Sequence, residues 1–358
     1  MAFKKTKTLR QLQYQVKKLE LPDIISIPMN YDLVIVPKPR RALNEKDKFK
    51  LDQYLMNGGR LLWLIDKVNA NMDSLRNGGF QFTRANRLNL RDQLFTYGAR
   101  INEDLVMDLQ CNKIPLVTGQ RGNQPQTQMF PWYYFPVVTT HNNHPINRNI
   151  SPVSLKFANT IDTVGAPDIE KTVLLKSSQN SKAVKAPTRL HFSMLKSKPD
   201  PRQFPNSGLP LGVLLEGRFE SVFKDRLTYS TRQMIDTLEN ASYRDSSKPT
   251  KQIVIGDGDI IRNEMRGQSE PFPLGYYRYT QQTFGNKDFL LNAIEYLIHG
   301  SGLIKARNKN VKLRLLDRTQ AEKEKRKWQI MNLSIPIGFV IIFGFIYSYI
   351  RKRRYTVS

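Results

Sequence analysis

The sequence holds one cysteine, Cys111, and four histidines. A lone cysteine excludes an intrachain disulfide and any multi-cysteine metal site, so this is not a small disulfide-built secreted domain. Acidic residues are scarce beside basic ones: 31 Asp and Glu against 56 Lys and Arg give a formal net charge of +25. Such a field favours anionic partners (nucleic acid, phospholipid headgroups, acidic glycans, acidic proteins) without choosing among them. The usual phosphate and nucleophile marks are missing. There is no G-x-x-x-x-G-K-[ST], no G-x-G-x-x-G and no G-x-S-x-G, which removes sequence support for ATPase, dinucleotide-binding and α/β-hydrolase readings. The opening MAFKKTKTLR is basic, but it continues as QLQYQVKKLE rather than as the apolar stretch of a secretory signal.

The residues present are enough for a sizeable core. Hydrophobic residues make up 40% of the 358 and aromatics 10%, which excludes a chain disordered throughout. The length allows two or three domains, or one large α/β domain with additions. Residues 31–37 (YDLVIVP) read as a buried strand, 45–56 as a helix capped by Asn44 and stopped at Gly58-Gly59, and 60–66 (RLLWLID) as a second buried strand. Strand, helix, glycine and strand in that order predict a βαβ unit and hence a mostly parallel sheet. Residues 88–97 read as a helix stopped at Gly98, and 105–109, 173–176, 211–215 and 253–255 as further strands. Residues 287–298 form an amphipathic helix closed by Gly300 and Gly302. Residues 118–131, rich in Gly, Gln and Pro, read as an exposed loop, and 196–210 as a second irregular one. Residues 311–316 suggest a short strand, and 319–327 a charged helix that runs straight into an apolar segment.

That segment is the longest apolar run in the chain. Residues 333–350 (LSIPIGFVIIFGFIYSYI) carry no charge. Counted from Ile330, the run spans about 31 Å as a helix, close to the roughly 30 Å of a bilayer core. Trp328 precedes it, Leu333 and Ile350 bound its uncharged part, and Arg351 and Arg353 lie in the basic cluster beyond. This pattern predicts a transmembrane helix over 329–350, with a cytoplasmic basic tail over 351–358 and the large domain across the membrane. The remaining boundaries are an N-terminal linker (1–30), an α/β domain (31–305) and a charged juxtamembrane segment (306–328).

Signals for chemistry are sparse. Asp257 and Asp259 in the Gly256–Asp259 turn (GDGD) come after a strand, and Asp66 ends another. Carboxylates at strand ends sit where α/β folds bind ligands, so these three are the candidate ligand-binding residues. The competing reading is a tight βα turn with glycines in unusual φ, Asp259 as a helix N-cap and Asp66 as a cap or turn residue. His141 and His144 are spaced for a metal on a helix, but Asn142, Asn143 and Pro145 make the segment a turn of solvated histidines. Cys111 has no nucleophile elbow around it. Basic residues are spread along the chain and no nucleic-acid module is recognisable, so no nucleic-acid partner is expected. No catalytic residue, metal or cofactor is assigned.

Five segments taken in order (residues 31–66, 144–162, 211–226, 252–261 and 322–355) resemble the gliding-motility-associated ABC-transporter auxiliary (GldG) family of Bacteroidota, often labelled substrate-binding. The resemblance runs from about Tyr31 to Tyr355. It implies a glutamine-amidotransferase-like (flavodoxin-like) α/β domain without catalytic residues, placed in the periplasm and anchored in the inner membrane. It further implies a complex with an ABC permease and ATPase and a role in gliding. Family members also carry an N-terminal membrane helix, which this chain does not begin with. Two alternatives stay open: a membrane-anchored metal-dependent enzyme acting on a phosphorylated or glycosyl substrate through Asp257 and Asp259, and a scaffold touching anionic envelope polymer through its basic surface.

Overall fold

The computed structural model describes residues 14–122, 124–140, 144–195, 199–227, 243–267, 270–300 and 318–355. By internal contacts the chain divides into two units, Met1–Lys312 and Leu313–Ser358. In the first unit the strands that matter, in chain order, are β1 (Val34–Pro37), β2 (Leu61–Leu64), β3 (Phe80–Phe82), β4 (Asp104–Asp108), β5 (Cys111–Arg121), β6 (Gln124–Val138), β7 (Val153–Ser154), β8 (Ile169–Lys176), β9 (Ser181–Lys185), β10 (Arg189–His191), β11 (Pro210–Gly217) and β12 (Thr250–Ile255). Its helices are α1 (Glu45–Met56), α2 (Met72–Gly78), α3 (Arg91–Thr96) and α4 (Asn286–His299).

The βαβ unit forms as its residues dictate. Asn44 Oδ1 accepts from the Asp47 amide at 2.7 Å and so satisfies a donor at the start of α1. Leu51, Tyr54, Leu55 and Met56 are buried along one side. Gly58 then turns the chain with φ +97°, a conformation other residues rarely adopt. β1 and β2 pair in parallel, Val34 opposite Leu61 through Pro37 opposite Leu64.

The central sheet runs β1-β2-β12-β11-β8. β2 and β12 are parallel, but β12–β11 and β11–β8 are antiparallel. The expected mostly parallel sheet is therefore a mixed one. A parallel return needs a crossover helix. α1 provides one, whereas between β8 and β11 the described residues hold no α-helix, only β9, β10 and two 3-10 turns.

Both faces of this sheet are covered, as the strand alternation requires. Leu61, Trp63, Val213, Leu215 and Val254 join α1 in one core cluster, tied down further by Ile27 with Leu19, Leu21 and Ile24 against it. Leu62, Leu64, Leu214, Ile253 and Ile255 face the other way and pack on Phe289, Leu290, Ala293, Ile294 and Leu297 of α4. Each such buried leucine stabilises by about 1.5–3 kcal/mol. A third, aromatic cluster (Trp132, Tyr134, Phe135, Phe157 and Leu190 among others) underlies the smaller strands.

Three expectations need correction. Residues 118–131 are not a loop. They form most of a long hairpin in which β5 pairs antiparallel with β6, from Lys113 opposite Pro131 to Arg121 opposite Gln124. Backbone pairing tolerates glutamine and glycine, and the prolines sit on a ribbon with free edges, where a missing amide costs least. The helix expected over 88–97 starts only at Arg91, because Asn89 takes φ +57° just before it. The third correction is at the GDGD turn, which leads into a further turn rather than a helix.

The described residues of the second unit form one helix, α5 (Arg318–Tyr355), of 38 residues. Its stretch Lys325–Ser348 is long and apolar enough to cross a membrane. Leu333, Phe339 and Phe345 are 70%, 70% and 74% exposed, an arrangement suited to lipid rather than water. Pro336 lies within it, and the Ser334 hydroxyl bonds back to the Ile330 carbonyl at 2.6 Å. Trp328 and Leu333 lie early in this helix, and Ile350, Arg351 and Arg353 fall in its last turns. Residues 311–316, where a short strand was expected, lie outside the described residues.

Candidate functional site

Three parallel strands end at the same edge of the sheet. Lys38 comes directly after β1, Asp66 two residues after β2, and Asp257 two residues after β12. This is the edge at which open α/β sheets bind ligands. Lys38 takes φ +48°, a left-handed conformation that costs a non-glycine residue about 1 kcal/mol. Its amide donates to the Leu64 carbonyl at 2.7 Å, which locks the end of β1 to β2. Its ammonium lies 2.5 Å from Asp66 Oδ2 and 2.7 Å from Asp259 Oδ2.

Asp257 is wholly buried. Its two oxygens accept from the amides of Asp259 and Lys156, each at 2.7 Å. Asp66 Oδ1 accepts from the Gly258 amide. Asn159, also fully buried, braces the edge. Its amide donates to the Gly256 carbonyl at 2.7 Å, and its side-chain oxygen accepts from the Lys67 amide at 2.7 Å.

The structure thus brings Asp66, Asp257 and Asp259 together, but the roles differ from both readings of the sequence. No helix succeeds the GDGD turn, so Asp259 caps none; residues 259–262 close a turn instead, with the Arg262 amide on the Asp259 carbonyl at 2.7 Å. Neither Gly256 nor Gly258 has a positive φ. They are small because the site is tight. A Cβ on Gly258 would lie 2.8 Å from Lys38 Cβ and 3.0 Å from Asp66 Oδ1, and one on Gly256 would strike the Asn159 carbonyl. Asp66 caps nothing either; it is an ion-pair partner.

Burial, then the charges of Asp66 and Asp259, push the Asp257 carboxyl well above the usual carboxylate range. Burial also lifts Asp66, against the pull of Lys38. For Asp259, burial is outweighed by Lys38, whose charge and hydrogen bond hold this carboxyl below its ordinary value. Lys38 itself is raised: burial opposes its charge, but the two carboxylates win. One ammonium therefore serves two carboxylates, while the third carboxyl holds backbone. A divalent cation would have to displace Lys38 to reach them. Among the described residues no group of three or more His, Cys, Asp or Glu is arranged to hold a metal. A cleft lined by Ile65, Lys67, Leu88, Leu94, Arg100 and Ile101, with none of the three aspartates in its wall, offers about 20 Å³, room for roughly one water.

Lys38 and Asn159 escaped the sequence reading. Lys38 was within reach of it, since it comes after a predicted parallel strand as Asp66 does. Asn159 carried no local signal. Elsewhere, His141 lies outside the described residues. His144 is half-buried against Tyr296, with ring centroids 4.8 Å apart, and its Nδ1 accepts from the Ile146 amide at 3.3 Å. It starts a turn rather than standing free in solvent. Burial pushes the Cys111 thiol far up, the opposite of an activated nucleophile. The aromatic run 132–135 is core.

Known proteins add one firm relation. The mmIFT52 N-terminal domain is similar over 83% of this chain and 90% of its own length, at 14% identity and a TM-score of 0.41, too low to support any argument about fold or function. No curated protein matches. A family described as an ABC-type uncharacterized transport system matches residues 5–293, which take in the whole carboxylate–lysine cluster. With that much of its length matched, the chain belongs to this family of ABC-type transport-system auxiliary proteins.

Proposed function

We propose that the protein is a membrane-anchored, non-catalytic subunit of an ABC complex of the gliding-motility-associated kind found in Bacteroidota, working beside a permease and a separate ATPase. The observation that carries this reading is the position of Lys38. Its ammonium already neutralises Asp66 and Asp259, so the carboxylates best placed for a ligand instead bind three strand ends to one another. The family supplies the transport system, and the missing phosphate loop assigns ATP hydrolysis to another subunit. In this reading residues 31–305 are the auxiliary domain, built on a glutamine-amidotransferase-like scaffold without its nucleophile. α5 is the inner-membrane anchor, with Trp328 and Leu333 at one interface and Ile350, Arg351 and Arg353 at the other. The uninterrupted basic tail favours a cytoplasmic C-terminus and a periplasmic domain.

The test is a pull-down of the tagged full chain in mild detergent, with a version truncated after Lys327 beside it. Recovery of a permease and an ATPase with the full chain alone supports the reading and assigns the contact to the helix. Recovery with both moves the contact to the α/β unit. Recovery of neither, from folded samples, overturns it.

One observation favours a second reading, the metal-dependent enzyme acting on a phosphorylated or glycosyl substrate. Asp259 Oδ1 is buried and accepts no hydrogen bond among the described residues; the Arg262 guanidinium stands 3.7 Å from it. Stoichiometric Mg²⁺ or Mn²⁺ binding that disappears in Asp257→Asn/Asp259→Asn would establish that reading.

A further inference from the structure

Away from the carboxylate site, the β3–β10 ribbon carries an unusual surface. In its antiparallel register Phe82 lies opposite Arg189 and Phe80 opposite His191, so these four share one face. Phe80 and Phe82 are 44% and 62% exposed. The Arg189 guanidinium lies 4.8 Å from the centre of the Phe80 ring. Just before β3 in the chain, α2 contributes Arg76, whose guanidinium lies 5.5 Å from the centre of the Tyr279 ring and donates to its hydroxyl; Arg278 lies 4.8 Å from the same ring and donates to the same hydroxyl at 2.7 Å. Among the described residues no carboxylate pairs with Arg76 or Arg189, while Arg278 has only Glu264 at 3.9 Å.

A guanidinium laid on a ring keeps its plane and its outward N–H donors, so it is pre-ordered for a bidentate anion. Beside it, two phenyl rings remain in water at a cost in free energy. One repeating chemistry satisfies both features: a sugar ring, whose C–H face covers an aromatic ring, bearing a carboxylate for the guanidinium. Successive nucleic-acid bases would need ring faces that stack in series. Phe80 and Phe82 instead stand at 80° with centroids 5.6 Å apart, one face and one edge.

We propose that the Phe80/Phe82/Arg189 face, extended by Arg76, Tyr279 and Arg278, is a binding surface for an acidic polysaccharide of the polyuronate type. The assignment is independent of the transporter reading.

The net charge of +25 attracts any polyanion, so the decisive substitutions leave it unchanged. Polygalacturonate binding to the full chain in detergent is measured near physiological salt for the native protein, Phe80→Ala/Phe82→Ala and Arg189→Lys. Loss of about fivefold or more in affinity in the double variant, and a smaller loss in Arg189→Lys, is expected. Neutral dextran is expected not to bind, and recovery of permease and ATPase is expected to persist in both variants. Native-like affinity in the double variant would reduce the effect to net charge and overturn the proposal. Tighter binding of a single-stranded oligothymidylate, lost in the same variants, would overturn it in favour of nucleic acid. Both rings are exposed, so a matching melting temperature is expected; Arg189→Lys carries the test if the double variant misfolds.

Discussion

Asp52 and Asp257 are both carboxyls with no exposed surface, yet they do different work. Asp52, on α1, receives four neutral donors: the Tyr97 hydroxyl at 2.7 Å, the Ser221 hydroxyl at 2.7 Å, the Gln53 amide group at 2.9 Å and the Val222 backbone amide at 3.1 Å. It stitches α1 to the turn after α3 and to the 221–222 segment. Asp257 receives two backbone donors and stands beside two more carboxyls that share one lysine. Burial lifts both acids, so a raised carboxyl does not by itself mark a site. The surrounding groups do: neutral donors make scaffold, and crowded like charges make the region where a ligand or a counter-ion has to be accounted for. Here the chain's own Lys38 is the counter-ion.

Three substitutions sharpen this contrast. The largest effect is expected at the quieter residue. Asp52→Ala strands four buried donors and should cost about 3 kcal/mol or more, read as loss of a cooperative melt. A small shift would mean the donors find water instead.

Next comes Lys38→Met, which leaves Asp66 and Asp259 without their shared cation. It should cost about 2–3 kcal/mol at neutral pH. The deficit should shrink as pH falls toward about 4, because protonating the carboxylates removes the charge left unpaired. A deficit that is constant with pH would show that packing, not charge, is what Lys38 provides.

The smallest effect is expected for Asp257→Asn, within about 1 kcal/mol at neutral pH. Here the pH dependence carries the information. Because the folded-state value of Asp257 is raised, its contribution to stability is full below the ordinary value of 3.8 and is lost as pH rises through the raised one. The variant should therefore gain on the native chain as pH rises above the ordinary value of 3.8 and on through the raised one. Equal slopes would show that Asp257 titrates as an ordinary aspartate.

Legibility tracked the range of the forces involved. The β1–α1–β2 unit was readable because its signals are local: a capping Asn44, apolar residues at helical spacing and a left-handed Gly58. The hairpin of β5 and β6 was not, because backbone pairing across two strands leaves no trace in a tip, residues 118–128, that is mostly glutamine, glycine and threonine. Of the site, the three aspartates were visible as acids at strand ends. Their company was not, since Lys38, Asn159 and the aspartates lie as far apart in sequence as residues 38 and 259. The glycines of the GDGD turn mislead for the same reason: their small size answers to Lys38, Asp66 and Asn159, not to local φ.

By itself, then, the sequence determined an α/β unit with a βαβ start, a long apolar C-terminal helix, a strongly basic surface and a chain without nucleotide-binding or nucleophile motifs. These are properties of composition and short-range periodicity. The tertiary structure alone decided that the sheet is mixed and that an ammonium occupies the space between Asp66 and Asp259. It also placed Phe80, Phe82 and Arg189 on one face. Each of these depends on strand register, which juxtaposes residues distant in the chain and which no local pattern encodes.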